Sequence, residues 1–391
     1  MEKNYDVAII GGGTTGISTA YVLAGTGKTC AVFEKNTIGS GATAKTTAFL
    51  TNLLDTSLVD LKKIFGQEKA KLVWQSHAEA IDTIEHIVNS EHIDCSFMRC
   101  PSYNYANSTK DFEGLTKDYQ LAKELGFDVE LHKNNNFPFN SSGYMILKNQ
   151  AKFYLSHYVK ALAQKAQQRG AFIFEHREIK EIQYKDGIWK LNDGASSVFA
   201  KDVVIATYYP FGRQTKTHFK KGMYVSYVFK LQIPKNYLPY AIFEDTANPY
   251  HYFRTDDEGD HDSMIIGGQD HRADIPLNKE KNFIALEKWI QKTFTSMKYT
   301  IKSRWTGPIL EPSDGLALIG KIKDHLYVAT AFSGNGITYS TITAQIVSDL
   351  IENKKNPYAE LYDPTRFLNV KSMLIKGRDY ASENWHTIFG T

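Results

Sequence analysis

Hydrophobic and polar positions divide the chain into segments of recognisable period. Val7 to Ile10 are apolar without interruption, as in a parallel strand covered on both faces. Ile17, Ala20, Tyr21 and Ala24 then recur at helical spacing, so a helix is expected over Thr14 to Ala24, with a second strand over Cys30 to Phe33. Leu58 to Ile93 reads as helical, with Leu72, Trp74, Ala78, Ile81, Ile84 and Ile87 on one side. Phe97 to Tyr105 reads as a strand, Lys110 to Leu125 as a helix, and Asn134 to Asn136 before Phe137-Pro138 as a loop. A helix returns over Ala151 to Gln168 and stops at Gly170. Asp186-Gly187 signals a hairpin, and Lys201 to Tyr209 is a buried strand. From Gly222 to Gly268 the pattern alternates as in antiparallel strands, and Asn278 to Phe294 is helical again.

The composition narrows the class. With 391 residues, 42% of them hydrophobic, the chain is long enough for two domains or one large one. A net charge of +3 with no dense Lys/Arg run argues against nucleic acid as a partner. No apolar run approaches the roughly 20 residues of a transmembrane segment. The first strand begins too soon after Met1 for a signal peptide. Cys30, Cys95 and Cys100 are odd in number and lack metal-ligand spacing, so reduced thiols, a cytoplasmic location and no metal are expected.

The strand at Val7 to Ile10 runs into Gly11, Gly13 and Gly16, a G-x-G-x-x-G at a strand-to-helix turn. In this motif the first glycine permits the tight turn, the second lets backbone approach a pyrophosphate, and the third lets helix and strand pack closely. Thr14 and Thr15 open the helix, whose N-terminus favours phosphate through its free N–H groups and dipole. Glu34, 23 residues after Gly11, ends the second strand with Lys35 behind it and is placed to bind a ribose diol. An acid there repels a 2′-phosphate, which disfavours NADP and leaves NAD and FAD.

The loop beyond Glu34 separates those two. Glu34, Gly39, Ser40, Gly41, Ala42 and Thr43 form E-x(4)-G-S-G-A-T, which resembles the FAD-dependent D-amino-acid oxidase superfamily, the group of glycine oxidase, sarcosine oxidase and D-amino-acid dehydrogenases. The strand KDVVIATYY and the segment PSDGLALIG…LYVATAFSGNGIT match the same family, so the resemblance covers residues 5–367. It implies an α/β fold: a Rossmann-like FAD-binding domain of glutathione-reductase type, with a second, antiparallel-sheet α+β substrate domain. The implied division is 1–94, 150–215 and 313–367 for the first domain, 95–149 and 216–312 for the second, and a tail over 368–391. By position, Ser40, Thr43, Lys45, Thr46 and Thr47 become FAD contacts, as do Ile179 through its backbone, Ala206 and Thr207. Gly334, Asn335, Gly336, Ile337 and Thr338 would set a helix N-terminus against the reduced flavin's negative edge. Neither stretch expected at the ring, Ala42 to Asn52 or Phe332 to Thr338, holds a Cys or His, so FAD is expected to be non-covalent.

The implied reaction is oxidation of a C–N bond of an amine or amino acid by hydride transfer to FAD. The alternatives are oxidation of a hydroxy acid or polyol phosphate, and a flavin-binding subunit without turnover. On the substrate side, Tyr250, Tyr252 and Arg254 alternate along one strand and so share a face. Arg254 is the candidate carboxylate clamp and Tyr252 a wall of the site. His271 and Arg272 are secondary candidates. The family branch that this chain most resembles often continues into a Rieske domain, which needs two Cys and two His. No cysteine follows Cys100, so that domain is not expected. Ile265 aligns with a lysine that promotes oxygen reactivity in the sarcosine-oxidase branch, while Lys45 offers a substitute charge. A dehydrogenase is therefore expected over an oxidase, passing electrons to a separate acceptor: a quinone or an electron-transfer protein sooner than O2.

Overall fold

The structure is a computed structural model that describes residues 4–133, 136–209, 211, 221–247, 249–275 and 278–366. Residues 134 and 135 of the expected asparagine loop, and the tail over 368–391, lie outside the described residues.

Two sheets organise it. Strand β1 (Asn4–Ile10) leads through helix α1 (Thr14–Gly25) to β2 (Cys30–Phe33). Val7, Ala8 and Ile9 are fully buried, which is why this stretch carries no polar alternation. Strand β3 (Phe49–Leu50) is followed by α2 (Leu58–Phe65) and α3 (Gln67–Ser90). The periodicity predicts one helix here, but Gly66 breaks it with φ +87°, a left-handed conformation that costs glycine little. Next come β4 (Met98–Ala106), α4 (Thr109–Glu124), β5 (Val129–His132), β6 (Gly143–Lys152) and α5 (Leu155–Gln168). Strands β7 (Phe172–Phe174), β8 (Glu181–Lys185), β9 (Ile188–Asn192) and β10 (Ser197–Tyr208) return the chain beside β1 and β2. The β8–β9 hairpin turns on Asp186 and Gly187, both with positive φ, as the Asp-Gly pair requires.

The second half contributes β11 (Lys221–Ile233), β12 (Ile242–Asp245), β13 (His251–Asp257), β14 (Asp262–Arg272), α6 (Lys279–Thr293) and β15 (Thr300–Pro312). It closes with β16 (Leu318–Lys323), β17 (Leu326–Thr330) and α7 (Gly336–Ile351).

Among the described residues the first sheet runs β16-β17-β10-β1-β2-β7, with β9 and β8 added beside β10. Its centre, β17 to β7, is parallel. The second runs β15-β11-β14-β13-β12-β4-β6-β3, with β5 beside β6, and is antiparallel except where β12 meets β4. One face of this sheet packs on an aromatic core that includes Tyr105, Phe139, Phe243, Phe253 and Phe294, with Phe243 and Phe253 stacked at 4.5 Å. Each such ring contributes about 1.5–3 kcal/mol by leaving water. The alternate residues Asn104, Glu244 and Tyr252 of the same strands face the other way and line a cavity that the starts of α1 and α7 also line.

Candidate active site

Between the two sheets lies a cavity of about 1090 Å³. That exceeds the roughly 300–1,000 Å³ of an ordinary small-molecule pocket and suits a large cofactor with a substrate beside it. Its walls begin at the glycine turn. Gly11 has φ +109°, and a Cβ there would lie 2.5 Å from the Ala206 carbonyl oxygen, so the turn closes directly onto β10. A Cβ on Gly16 would collide with the Gly11 carbonyl oxygen at 1.9 Å; this glycine packs α1 against the turn and does not face the cavity. Gly13 does face it, and the nearest atom to a Cβ there is the Thr43 hydroxyl at 3.1 Å.

Helix α1 has no acidic residue in its first turn and no side-chain cap from its own N-cap residue. Thr43 instead reaches over from the following loop and accepts from the Thr14 N–H at 3.1 Å. Thr14 and Thr15 line the cavity, and the Thr15 hydroxyl bonds Ser340 of α7 at 2.8 Å, locking the two helix N-termini side by side. Glu34 and Lys35 stand at one end with Ile179. The Glu34 carboxylate accepts from the Gly12 and Asn36 N–H groups, each at 2.8 Å, which fixes it on the cavity wall. Lys45, Thr46 and Thr47 line the middle, opposite Ala206 and Thr207.

At the other end α7 presents a second N-terminus without an acidic first turn. Gly334, Asn335, Gly336 and Ile337 all line the cavity there. Asn335 is held by donating to the Leu53 carbonyl at 2.9 Å. Ala48, Tyr208, Ala331 and Ser333 all take positive φ around this region, a concentration of local strain of the kind that marks functional sites.

Besides Gly16, several predicted cofactor or substrate residues do not reach the cavity. Ser40 is exposed and donates to the Thr37 carbonyl. Thr338 is buried with its hydroxyl against the His77 imidazole at 2.7 Å and the Asn335 carbonyl. Arg254 is 2% exposed, donates to the Ala48 and Phe153 carbonyls at 3.0 Å each, and pairs with Asp256. It does share a face with Tyr252. That face, however, is roofed at Arg254 by the segments around Ala48 and Phe153, so the clamp expected of it is not available. Arg272 is paired with Asp274 and His271 stands off the cavity wall. Ile265 pairs across the sheet with Arg254 and is also off the wall.

Tyr252 and Tyr250 are where the alternation put them. The Tyr252 ring meets Phe49 edge-on at 5.7 Å, and its hydroxyl bonds Ser226 at 2.8 Å. It lies over Gly267 of the neighbouring strand, where a Cβ would sit 2.4 Å from the ring. Burial holds the Tyr252 hydroxyl well above the usual tyrosine range. Behind it Asp270 is pushed up to about 7 by burial, against the opposing effect of the Ser226 and Tyr250 hydroxyls.

The sequence reading missed Asp55, Asn104, Ser226, Glu244, Thr246 and Glu311, all on the cavity wall. They are single polar residues in strands or loops without a motif, and the available signal was strand alternation alone. It also missed a buried pair, His251 with Asp245 at 3.1 Å. The His251 ring stacks on Trp289 at 3.9 Å, bonds Gln269 through Nε2, and does not line the cavity. Among the described residues no His or Cys lines the cavity, and the three thiols are buried and unpaired. No described helix is long and apolar enough to cross a membrane.

The turn, the two helix N-termini and the Glu34 carboxylate fit an FAD laid along this cavity. Comparison with known proteins agrees. The family model for DAO, FAD dependent oxidoreductase, matches residues 6–350. YhfW of Bacillus subtilis (strain 168), which bears the name of a Rieske 2Fe-2S iron–sulfur protein, is 27% identical over 94% of this chain and 72% of its own length. Gamma-glutamylputrescine oxidoreductase of Escherichia coli (strain K12) is 23% identical over 88% of this chain and 83% of its own. The crystal structure of glycine oxidase from Geobacillus kaustophilus superposes with a TM-score of 0.79 at 21% identity, covering 94% of this chain and all of that one. The chain belongs to the DAO family of FAD-dependent oxidoreductases.

Proposed function

We propose that this chain oxidises a C–N bond of an amine or amino acid. The observation that carries the reading is the continuity of the cavity, from the glycine turn past the α7 N-terminus to a polar sheet face at Tyr252, Ser226 and Glu244. Bound FAD supplies the electron sink, accepting a hydride from the carbon next to nitrogen. The nitrogen gives up a proton, the C–N bond becomes an imine, and water hydrolyses it to a carbonyl compound and free amine or ammonia. Only an uncharged amine can deliver the hydride, so the residues at the reacting end need to orient it and exclude water. Phe49 and Tyr252 wall that region, and Ser226 fixes the tyrosine. The relatives named for glycine and gamma-glutamylputrescine both point to nitrogen compounds. With no Cys or His on the described wall, the FAD is held non-covalently.

The test is anaerobic reduction of the bound flavin by amines, amino acids, hydroxy acids and polyol phosphates. Loss of the visible flavin absorption with nitrogen compounds is expected. Bleaching by hydroxy acids or polyol phosphates alone would overturn the reading.

A further inference from the structure

The second sheet presents a row of side chains to the cavity. Register sets Asn104 of β4 beside Glu244 of β12, and Glu244 beside Tyr252 of β13. Thr246, two residues past Glu244, continues the same face just beyond the strand end, and all four line the cavity. The Tyr252 hydroxyl is spent on Ser226. The other three side chains each offer an acceptor oxygen that no described donor reaches. Asn104 Oδ1 and Thr246 Oγ1 are buried and have no hydrogen-bond partner among the described residues. No hydrogen bond or ion pair from a described residue reaches the Glu244 carboxylate. Burial, with Asp55 and Asp245 close by, pushes that carboxyl up to about 8, the response of an acid that lacks a counter-cation.

The neighbouring Asp245 shows the contrast. It accepts from the backbone N–H groups of His251 and Ala247, from the Asn107 amide and from the His251 ring, and so organises the turn. Glu244 has no such structural employment. Buried acceptors left unmatched cost free energy in any fold, and they persist where a ligand supplies the donors. A primary ammonium carries three donors and no acceptor. Three unmatched acceptors, one of them a carboxylate, fit that group. A carboxylate ligand would instead face Glu244, and Asp55 and Glu311 also stand on the wall. Among the described residues no arginine lines the cavity, and its lysines lie on the loop after Glu34, where Lys45 packs by its backbone against β15, and on α2 and α4; none is on β4, β12 or β13.

We propose that Glu244, Asn104 and Thr246 anchor a non-reacting ammonium group of the substrate, which makes that substrate a diamine and not an α-amino acid. This rests on the C–N oxidation reading for the reacting end, since a nitrogen that delivers hydride is uncharged and the anchored cation must be a second one. The preference of the anchor itself is measurable without turnover.

The test is calorimetric titration of the FAD-loaded protein with three probes of one chain length: 1,4-diaminobutane, butylamine and 4-aminobutyrate. Their tails are cationic, neutral and anionic. Expected is tightest binding of the diamine, by about tenfold or more over butylamine, with 4-aminobutyrate weakest. Glu244→Gln should abolish the preference, and Thr246→Val should reduce it. The glutamine variant loses an uncompensated acid beside Asp55 and Asp245, so it should melt no lower than the parent. Equal or tighter binding of butylamine or 4-aminobutyrate to the parent protein would overturn the proposal. So would a preference that survives Glu244→Gln. Either result leaves the oxidation of C–N bonds standing, whereas failure of every nitrogen compound to bleach the flavin strikes that reading and not the anchor.

Discussion

A single added side chain separates binding from folding at Gly13. This residue has φ −76°, which any amino acid adopts, and only the Thr43 hydroxyl stands near the place of a Cβ. Gly13→Val therefore folds, but its methyl groups fill the space over the α1 N-terminus where a pyrophosphate would sit. The expected outcome is an unchanged circular dichroism spectrum and a colourless protein, while the parent releases FAD into the supernatant on acid precipitation. FAD retained by the variant would move the pyrophosphate elsewhere. Arg254 gives the opposite separation. Arg254→Met leaves the Ala48 and Phe153 carbonyls without their donor, at roughly 1–3 kcal/mol for each buried acceptor. Asp256 keeps Lys152 at 2.9 Å, so the remaining ion pair is balanced. A lower urea midpoint with an unchanged KM is expected; a raised KM at full stability would return Arg254 to the substrate.

Elements that line the cavity with a glycine turn or a helix N-terminus were the most legible. The glycine turn, α1 and the start of α7 announce themselves because a close approach of main chain to an anion demands small residues at fixed offsets. Glu34 was legible for the same reason, since strand length and helix length fix where β2 ends. The substrate face was legible only in part. Alternation along β13 correctly grouped Tyr250, Tyr252 and Arg254, yet it could not tell which part of that face lies open and which lies beneath Ala48 and Phe153. That depends on β3, a strand of two residues inside a stretch read as part of the first domain, which pairs with β6 of the second sheet. Glu244 was invisible because one of its neighbours on the row, Asn104, comes from a strand far away in sequence, and only the sheet brings the two together. The Gly66 break in the long helical stretch is a smaller miss with a local cause: apolar period continues across it while the backbone does not.

For the molecule as a whole, two buried acids near the substrate face set a pH dependence of stability. Glu244 is raised to about 8 and Asp270 to about 7, both chiefly by burial. The unfolded chain ionises these groups near their ordinary values, so between those values and the folded ones the folded chain holds more protons. Stability then falls as pH rises. His77 acts in the other direction: burial lowers it to about 3, so its contribution to stability rises with pH until about 6.5, the ordinary histidine value, and is constant above it. Asp118, raised to about 6, is mostly ionised by then. In the window from pH 7 to 8, above the ordinary histidine value, Glu244 and Asp270 dominate the change. Urea midpoints of the substrate-free protein should decline across it, with Glu244 accounting for a loss on the order of 1 kcal/mol. Glu244→Gln should flatten the decline, and 1,4-diaminobutane should flatten it in the parent by holding the carboxylate ionised. A variant whose midpoints fall in parallel with the parent's would show that Glu244 is ionised throughout, already neutralised by a cation other than the substrate's.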